Sequence, residues 1–233
     1  MEKVMFVVRA DADDAWCQRL RGTVAARLLE LGLPGLTVNV KDAAVRESMM
    51  TLSVLDPPAT AVVSIWTQQS YGPQVSAVVD ILAADALDVF AYLVTESTPL
   101  VPPIGEPGSR TTGLANIALL RRPAALDEAT WRHRWHVDHT PVAIDTQATF
   151  GYVQNAVVRP LTPQAPELAA IVEELFPDAA VGDLKAFFGA ADDDELSRRL
   201  TRMITSTTAF GANENVDTIP TSRYVWRDPF VAA

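Results

Sequence analysis

The sequence predicts an α+β fold in which one β-α-β-β-α-β plan is written twice, with the two copies packing sheet against sheet within one chain. Three observations predict it. Short β-rich runs ending in arginine recur at 3–9 and 114–121. Each run leads through an acidic cap into a helical stripe that starts on tryptophan, Trp16 in one case and Trp131 in the other. A stretch rich in proline and glycine, holding Pro99, Pro102, Pro103, Gly105, Pro107 and Gly108, divides the two copies.

In the first copy, 3–9 is a strand dense in valine. Asp11, Asp13 and Asp14 cap the helix that follows, and Trp16, Leu20, Val24, Leu28 and Leu31 recur along it at intervals of three or four. Pro34 and Gly35 end that helix. Residues 36–40 and 60–66, β-branched and apolar, read as the second and third strands, 73–83 as the second helix and 87–94 as the fourth strand. The order is that of the ferredoxin-like unit, an antiparallel sheet with both helices on one face.

The second copy opens with the strand at 114–121. Asp127 and Glu128 precede Trp131 and Trp135 as a helix start, and 149–158 reads as the next strand. Residues 168–176 fit a helix as well as a strand, and the repeat alone argues for strand. Asp192 opens a helix to about 207, the acidic run 192–195 being helix-start chemistry, and 222–226 closes the pattern as a strand. The division is therefore a first half at 1–98, a linker at 99–112 and a second half at 113–233. One such half leaves a sheet face uncovered, so two halves bury both faces as an α+β barrel of the kind otherwise made by dimers. Its interior either fills with side chains or holds one small ligand. The fusion makes an obligate dimer unnecessary, and the chain is expected as a monomer or a homodimer.

Composition excludes several classes. A net charge of −10 opposes a phosphate-backbone partner, because nucleic-acid affinity rests on Lys and Arg neutralising phosphates. The longest apolar stretch, 75–94, is interrupted by Asp80, Asp85 and Asp88, so no membrane span is expected. The single cysteine, Cys17, has no internal disulfide partner and no histidine near it in sequence, which makes it a packing residue. With no signal-like segment at the start, the expected location is cytoplasmic.

All three histidines, His133, His136 and His139, fall within seven residues. Successive steps of three do not share one helical face, so a three-histidine metal site is not expected, and neither is any other cofactor. Residues four apart do share a face: Trp131, Trp135 and His139 form one stripe, while His136 joins Arg132 on another and is expected, like His133, to face solvent. Pro141 is expected to end the helix at His139. There the imidazole stands between the unpaired carbonyls, which favour its charged form, and burial, which opposes it. Two roles stay open for His139: a general acid or base, or a helix cap. On the next strand, Phe150, Tyr152, Gln154 and Ala156 share one face, and Tyr152 and Gln154 bring hydrogen-bonding groups to the barrel interior if that face points inward.

The run from Trp131 to Pro141, with Trp135 and His139 in a Trp-x-x-x-His-x-Pro pattern, followed by Tyr152 to Asn155 and by Ile219 to Tyr224, resembles the EthD-domain family. The match covers about half the chain. The resemblance implies membership of the dimeric α+β barrel group, which includes cofactor-independent polyketide cyclases and dehydratases as well as heme-degrading monooxygenases. It places the family's recurrent histidine on His139 and its aromatic partner on Trp135. The first half keeps Trp16 but has Val24 where the second has His139, so a histidine site is expected in the second half alone. The leading expectation is a cofactor-independent lyase, cyclase or dehydratase acting on an oxygenated aromatic or polyketide-like compound, with His139 moving a proton and Trp135, Tyr152 and Gln154 contacting the ligand. The alternatives are a non-catalytic binding or accessory protein and a heme-handling oxygenase.

Overall fold

The computed structural model describes residues 1–230, and the last three residues of the expected second half lie outside them. Eight antiparallel strands close into one barrel in the order β1-β3-β2-β8-β5-β7-β6-β4. The first half contributes β1 (Glu2–Arg9), β2 (Gly35–Val40), β3 (Ala61–Thr67) and β4 (Asp88–Leu100). The second contributes β5 (Leu114–Leu120), β6 (Gly151–Pro160), β7 (Ala170–Phe176) and β8 (Asp217–Arg227). Within each half the order is the ferredoxin-like one, and the halves join edge to edge at β2–β8 and β4–β6. Residues 170–176 are a strand, as the repeat argued. Strand β4 runs on through Leu100 to pair with β6, so the first residues of the predicted linker lie in the sheet.

Helices cover the outside. The first half carries α1 (Asp14–Arg19), which continues through a π-helical turn, Leu20–Val24, into α2 (Ala25–Leu29), and then α3 (Pro73–Ala83). The second half repeats the plan: α4 (Glu128–His133) passes through a π-helical turn, Arg134–His139, into α5 (Thr140–Thr146), followed by a short α6 (Leu184–Phe188) and the long α7 (Asp193–Phe210). The acidic residues act as the sequence predicts, with the carboxylates of Asp13, Asp127 and Asp192 accepting from Trp16, Thr130 and Glu195 backbone N–H groups.

The helix does not end at His139. Thr140 has right-handed helical dihedrals (φ −52°, ψ −46°), and Pro141 sits within the first turn of α5. Proline is tolerated there because the widened π turn before it already forgoes the hydrogen bond that a proline would break. His139 is therefore inside a continuous helix and not at its terminus.

Three apolar layers result. The barrel interior is filled by side chains from both halves, among them Met5, Val62, Phe90, Ile117, Ile171 and Ile219. Between sheet and helices in the first half lies a layer of Trp16, Cys17, Leu20, Leu28, Val38 and Val78, which holds Cys17 as a buried free thiol. The matching layer of the second half is built on Trp131, Trp135, Tyr152, Val172 and Phe210. At the β2–β8 seam, the buried Asp42 accepts from Ser222 Oγ at 2.7 Å and Tyr224 Oη at 2.7 Å, and pairs with Arg21 at 2.8 Å, tying the halves together with polar contacts. Among the described residues, no helix is long and apolar enough to cross a membrane.

Candidate active site

Strand alternation decides which residues meet. On β6, Tyr152 and Gln154 point outward into the helix-covered layer, and Val153 faces the barrel interior in their place. The condition that this face points into the barrel is not met, so these residues lie beneath α4 and α5 and not between the sheets.

There a polar chain runs from the helix into the sheet. His136 Nδ1 lies 2.9 Å from Gln154 Oε1, and the Gln154 amide donates to Thr140 Oγ1 at 2.8 Å and to Tyr152 Oη at 3.2 Å. His136 is half-buried and not in open solvent, while His133 is exposed and lies 3.7 Å from Asp138. Arg134 donates to the Ala209 carbonyl at 2.6 Å. Trp131, Trp135 and His139 are all buried, as their stripe predicts, whereas the π turn widens the helix and swings His136 inward, so that Trp135 and His136 stack with ring centroids 4.1 Å apart.

His139 is 8% exposed, packs against Phe210 with centroids 4.8 Å apart, and sets Nδ1 2.9 Å from Ser206 Oγ. It faces α7, not the strand carrying Gln154. Burial pushes its pKa down to about 4, so the imidazole is neutral at physiological pH. Trp135 is fully buried, its ring 5.1 Å from that of Trp131.

Glu174 and Asn116 join the site without having been expected from the sequence. Register places Tyr152, Glu174 and Asn116 side by side on β6, β7 and β5, a polar row across the sheet. Burial raises the Glu174 pKa to about 7, and it raises that of the Tyr152 hydroxyl as well, with the neighbouring Glu174 adding to the effect. Glu174 Oε1 and Asn116 Oδ1 are buried and have no hydrogen-bond partner among the described residues. Unpartnered buried acceptors are costly and uncommon, so two in one row mark capacity for a ligand or bound water. The sequence did carry a clue: Glu173 and Glu174 are adjacent in a strand, so one carboxylate must lie on each face.

Two cavities flank this region. A groove of about 600 Å³ opens beside the start of α4, lined by Trp131, Arg132, Arg121, Val158 and Leu168 among others. Its arginines are engaged, Arg121 with Asp217 at 2.8 Å and Arg132 with Glu128 at 2.9 Å. Trp131 forms its inner wall and contacts Trp135, so the groove abuts the layer that holds the polar chain. The second cavity, about 240 Å³, lies at one mouth of the barrel. His139 lines neither.

The first half has no counterpart of this row: its helix repeats the tryptophan and the π turn, yet its own strands bury apolar side chains beneath it, with Val24 packed where the second half has His139. The polar contacts of that layer gather at the β2–β8 edge around Arg21, Asp42 and Tyr224. The π turn therefore belongs to the shared scaffold, and the polar row is what distinguishes the second half.

No family model matches the chain, and no curated protein matches it. Among solved structures, the chain is similar to an anthrone oxidase-like protein at a TM-score of 0.51 and 10% identity, covering 100% of this chain and 96% of that one. It is also similar to a suggested monooxygenase from Lactobacillus acidophilus NCFM at a TM-score of 0.48 and 7% identity, covering 95% and 93%. A dye-decolorizing peroxidase from Bacteroides thetaiotaomicron VPI-5482 follows at 0.46 and 11%, covering 98% and 93%. At these identities the likeness concerns the fold alone, which is the α+β barrel built from two ferredoxin-like modules.

Proposed function

We propose that the protein is an EthD-like enzyme of small-molecule metabolism that catalyses cofactor-independent acid–base chemistry on an oxygenated aromatic or polyketide-like compound, beneath α4 and α5 of the second half. The observation that carries this reading is the row of Tyr152, Glu174 and Asn116, with two unpartnered buried acceptors in a layer to which the strands of the sister half contribute apolar side chains.

Two titratable groups whose environments push their proton affinities apart make an acid and a base. His139, held neutral by burial, is the proton acceptor on the helix side. Glu174, with a pKa of about 7, is the proton donor on the sheet side at neutral pH. His139 takes a proton from a carbon conjugated with a ring carbonyl, in anthrone the CH2 across the central ring, while Glu174 gives its proton to the carbonyl oxygen, and the keto form becomes the enol with no net change in substrate charge. Tyr152 and Gln154 orient the oxygens, and Trp135 supplies an aromatic wall. The groove beside Trp131 is the route inward. An anthrone, a tricyclic ketone that enolises to a fully aromatic ring, has the chemistry this site would use, and the fold is shared with an anthrone oxidase-like protein.

Anthrone and simpler hydroxy- and keto-substituted aromatics test the reading by thermal shift, followed by mass spectrometry and deuterium exchange of the recovered compound. A ligand raises the melting temperature, and its carbon acid exchanges faster with wild type than with Glu174→Gln or His139→Ala. Binding without exchange or product would make the protein a binding or accessory protein instead.

A further inference from the structure

The mouth of the barrel holds the second cavity, on the opposite face of the sheet from the Tyr152 row. We propose that it is a separate ligand site that takes a single-ring aromatic carboxylate. Its volume is about 240 Å³, whereas an apolar cavity of about 150 Å³ suffices for benzene. The space therefore fits one ring with a short polar substituent.

The hydrogen-bonding inventory of the floor selects the substituent. Lys3 and Glu173 are buried, and each already has an opposite charge: Lys3 bonds to Glu96, and Glu173 lies 3.2 Å from Arg223 Nε and accepts from Asn39 at 2.7 Å. The carboxylates are thus committed, while donors are left over. Among the described residues the Lys3 ammonium makes one hydrogen bond, to Glu96, and it lies 4.8 Å from the Trp66 ring centroid. Arg223 Nε faces Glu173 at 3.2 Å outside hydrogen-bond geometry, so it completes the ion pair and adds positive charge beside the cavity. Thr37 and Ser64, buried side by side in register on β2 and β3, add hydroxyl donors to the same lining. Leftover donors beside two cations accept an anionic pair of oxygens and leave a neutral alcohol with less to gain.

The rim selects the body of the ligand. Trp66 and Phe230 meet edge to face at 6.4 Å and 80°, and both line the cavity. Phe230, Val101 and Ile104 are largely exposed and apolar around a charged floor. An aromatic ring packed against Phe230 beside Trp66 covers that apolar surface while its carboxylate reaches Lys3.

Benzoate is the probe, followed by titration calorimetry on the full chain. Wild type binds it saturably at one site, and benzyl alcohol, which keeps the ring and loses the charge, binds at least tenfold more weakly. Phe230→Ala, at an exposed position that leaves the fold intact, weakens benzoate several-fold, and Thr37→Val does the same from the floor. Tyr152→Phe leaves benzoate binding unchanged, which separates this site from the one beneath α4 and α5. Absence of saturable binding at millimolar benzoate would show the charged floor to be a structural ion-pair network only. Equal binding of benzyl alcohol, or indifference to both Phe230→Ala and Thr37→Val, would likewise overturn the assignment.

Discussion

Two side chains, His139 and Glu174, give the site its pH behaviour, and their effects on stability oppose each other. His139 has a folded pKa of about 4 against an ordinary 6.5, so its contribution is complete above 6.5 and is lost as pH falls toward 4. Glu174 is raised from 4.5 to about 7, so its contribution is complete below 4.5 and is lost as pH rises through 7. Each tenfold change in proton affinity is about 1.4 kcal/mol, and in wild type the two slopes partly cancel between 4.5 and 6.5. Single variants expose them. Glu174→Gln gives a stability that rises with pH between 4 and 6.5, and His139→Gln gives one that falls between 4.5 and 7; urea melts across that range check both. A flat profile in either variant would mean that the remaining group is not perturbed. The histidine cluster was legible in the sequence as a place. The partner of each ring was not, because a helix drawn at 3.6 residues per turn misplaces His136 once a π turn intervenes. Glu174 escaped notice because its strand, 170–176, read as well as a helix, and only strand alternation puts Glu173 and Glu174 on opposite faces.

The paired π turns at Leu20–Val24 and Arg134–His139 are the element-level device that shapes both halves. Strand and helix identities followed from periodicity and caps, since those depend on local chemistry. The continuation of the second-half helix past Pro141 did not, because it depends on a hydrogen bond already absent from the preceding turn. Replacing Pro141 with alanine therefore leaves that helix continuous and changes stability by less than about 1 kcal/mol, in contrast to the ~3 kcal/mol penalty that proline carries in an ordinary helix interior. A second element-level prediction concerns the end of α7. Gly211 closes it at φ +77°, and a Cβ there would meet Pro123 Cγ at 2.2 Å. Gly211→Ala should cost more than about 1 kcal/mol, from the left-handed backbone and the clash together, and denaturant melts measure it. A neutral result would mean that α7 ends with slack against the 121–127 loop.

At the scale of the whole molecule, closure of the barrel makes the halves one cooperative unit. The interior core draws on strands of both, and Asp42 of the first half is bonded to Ser222 and Tyr224 of the second. A single unfolding transition is expected by both calorimetry and circular dichroism, with Asp42→Ala lowering its midpoint and leaving it single; two resolved transitions would show the halves to be independent. The repeat was readable because each half must solve the same burial problem with the same element order. What the repeat concealed was the difference between the halves, since similar strands bury apolar groups in one layer and a polar row in the other. That difference is the central claim. Its most direct test is hydrogen–deuterium exchange at the carbon acid of anthrone, followed by mass spectrometry with wild type, Glu174→Gln, and a first-half control, Val24→Ala. Exchange is expected with wild type and with the Val24 variant, and is reduced at least tenfold by Glu174→Gln. Equal exchange in all three, or none in wild type despite bound ligand, would contradict it.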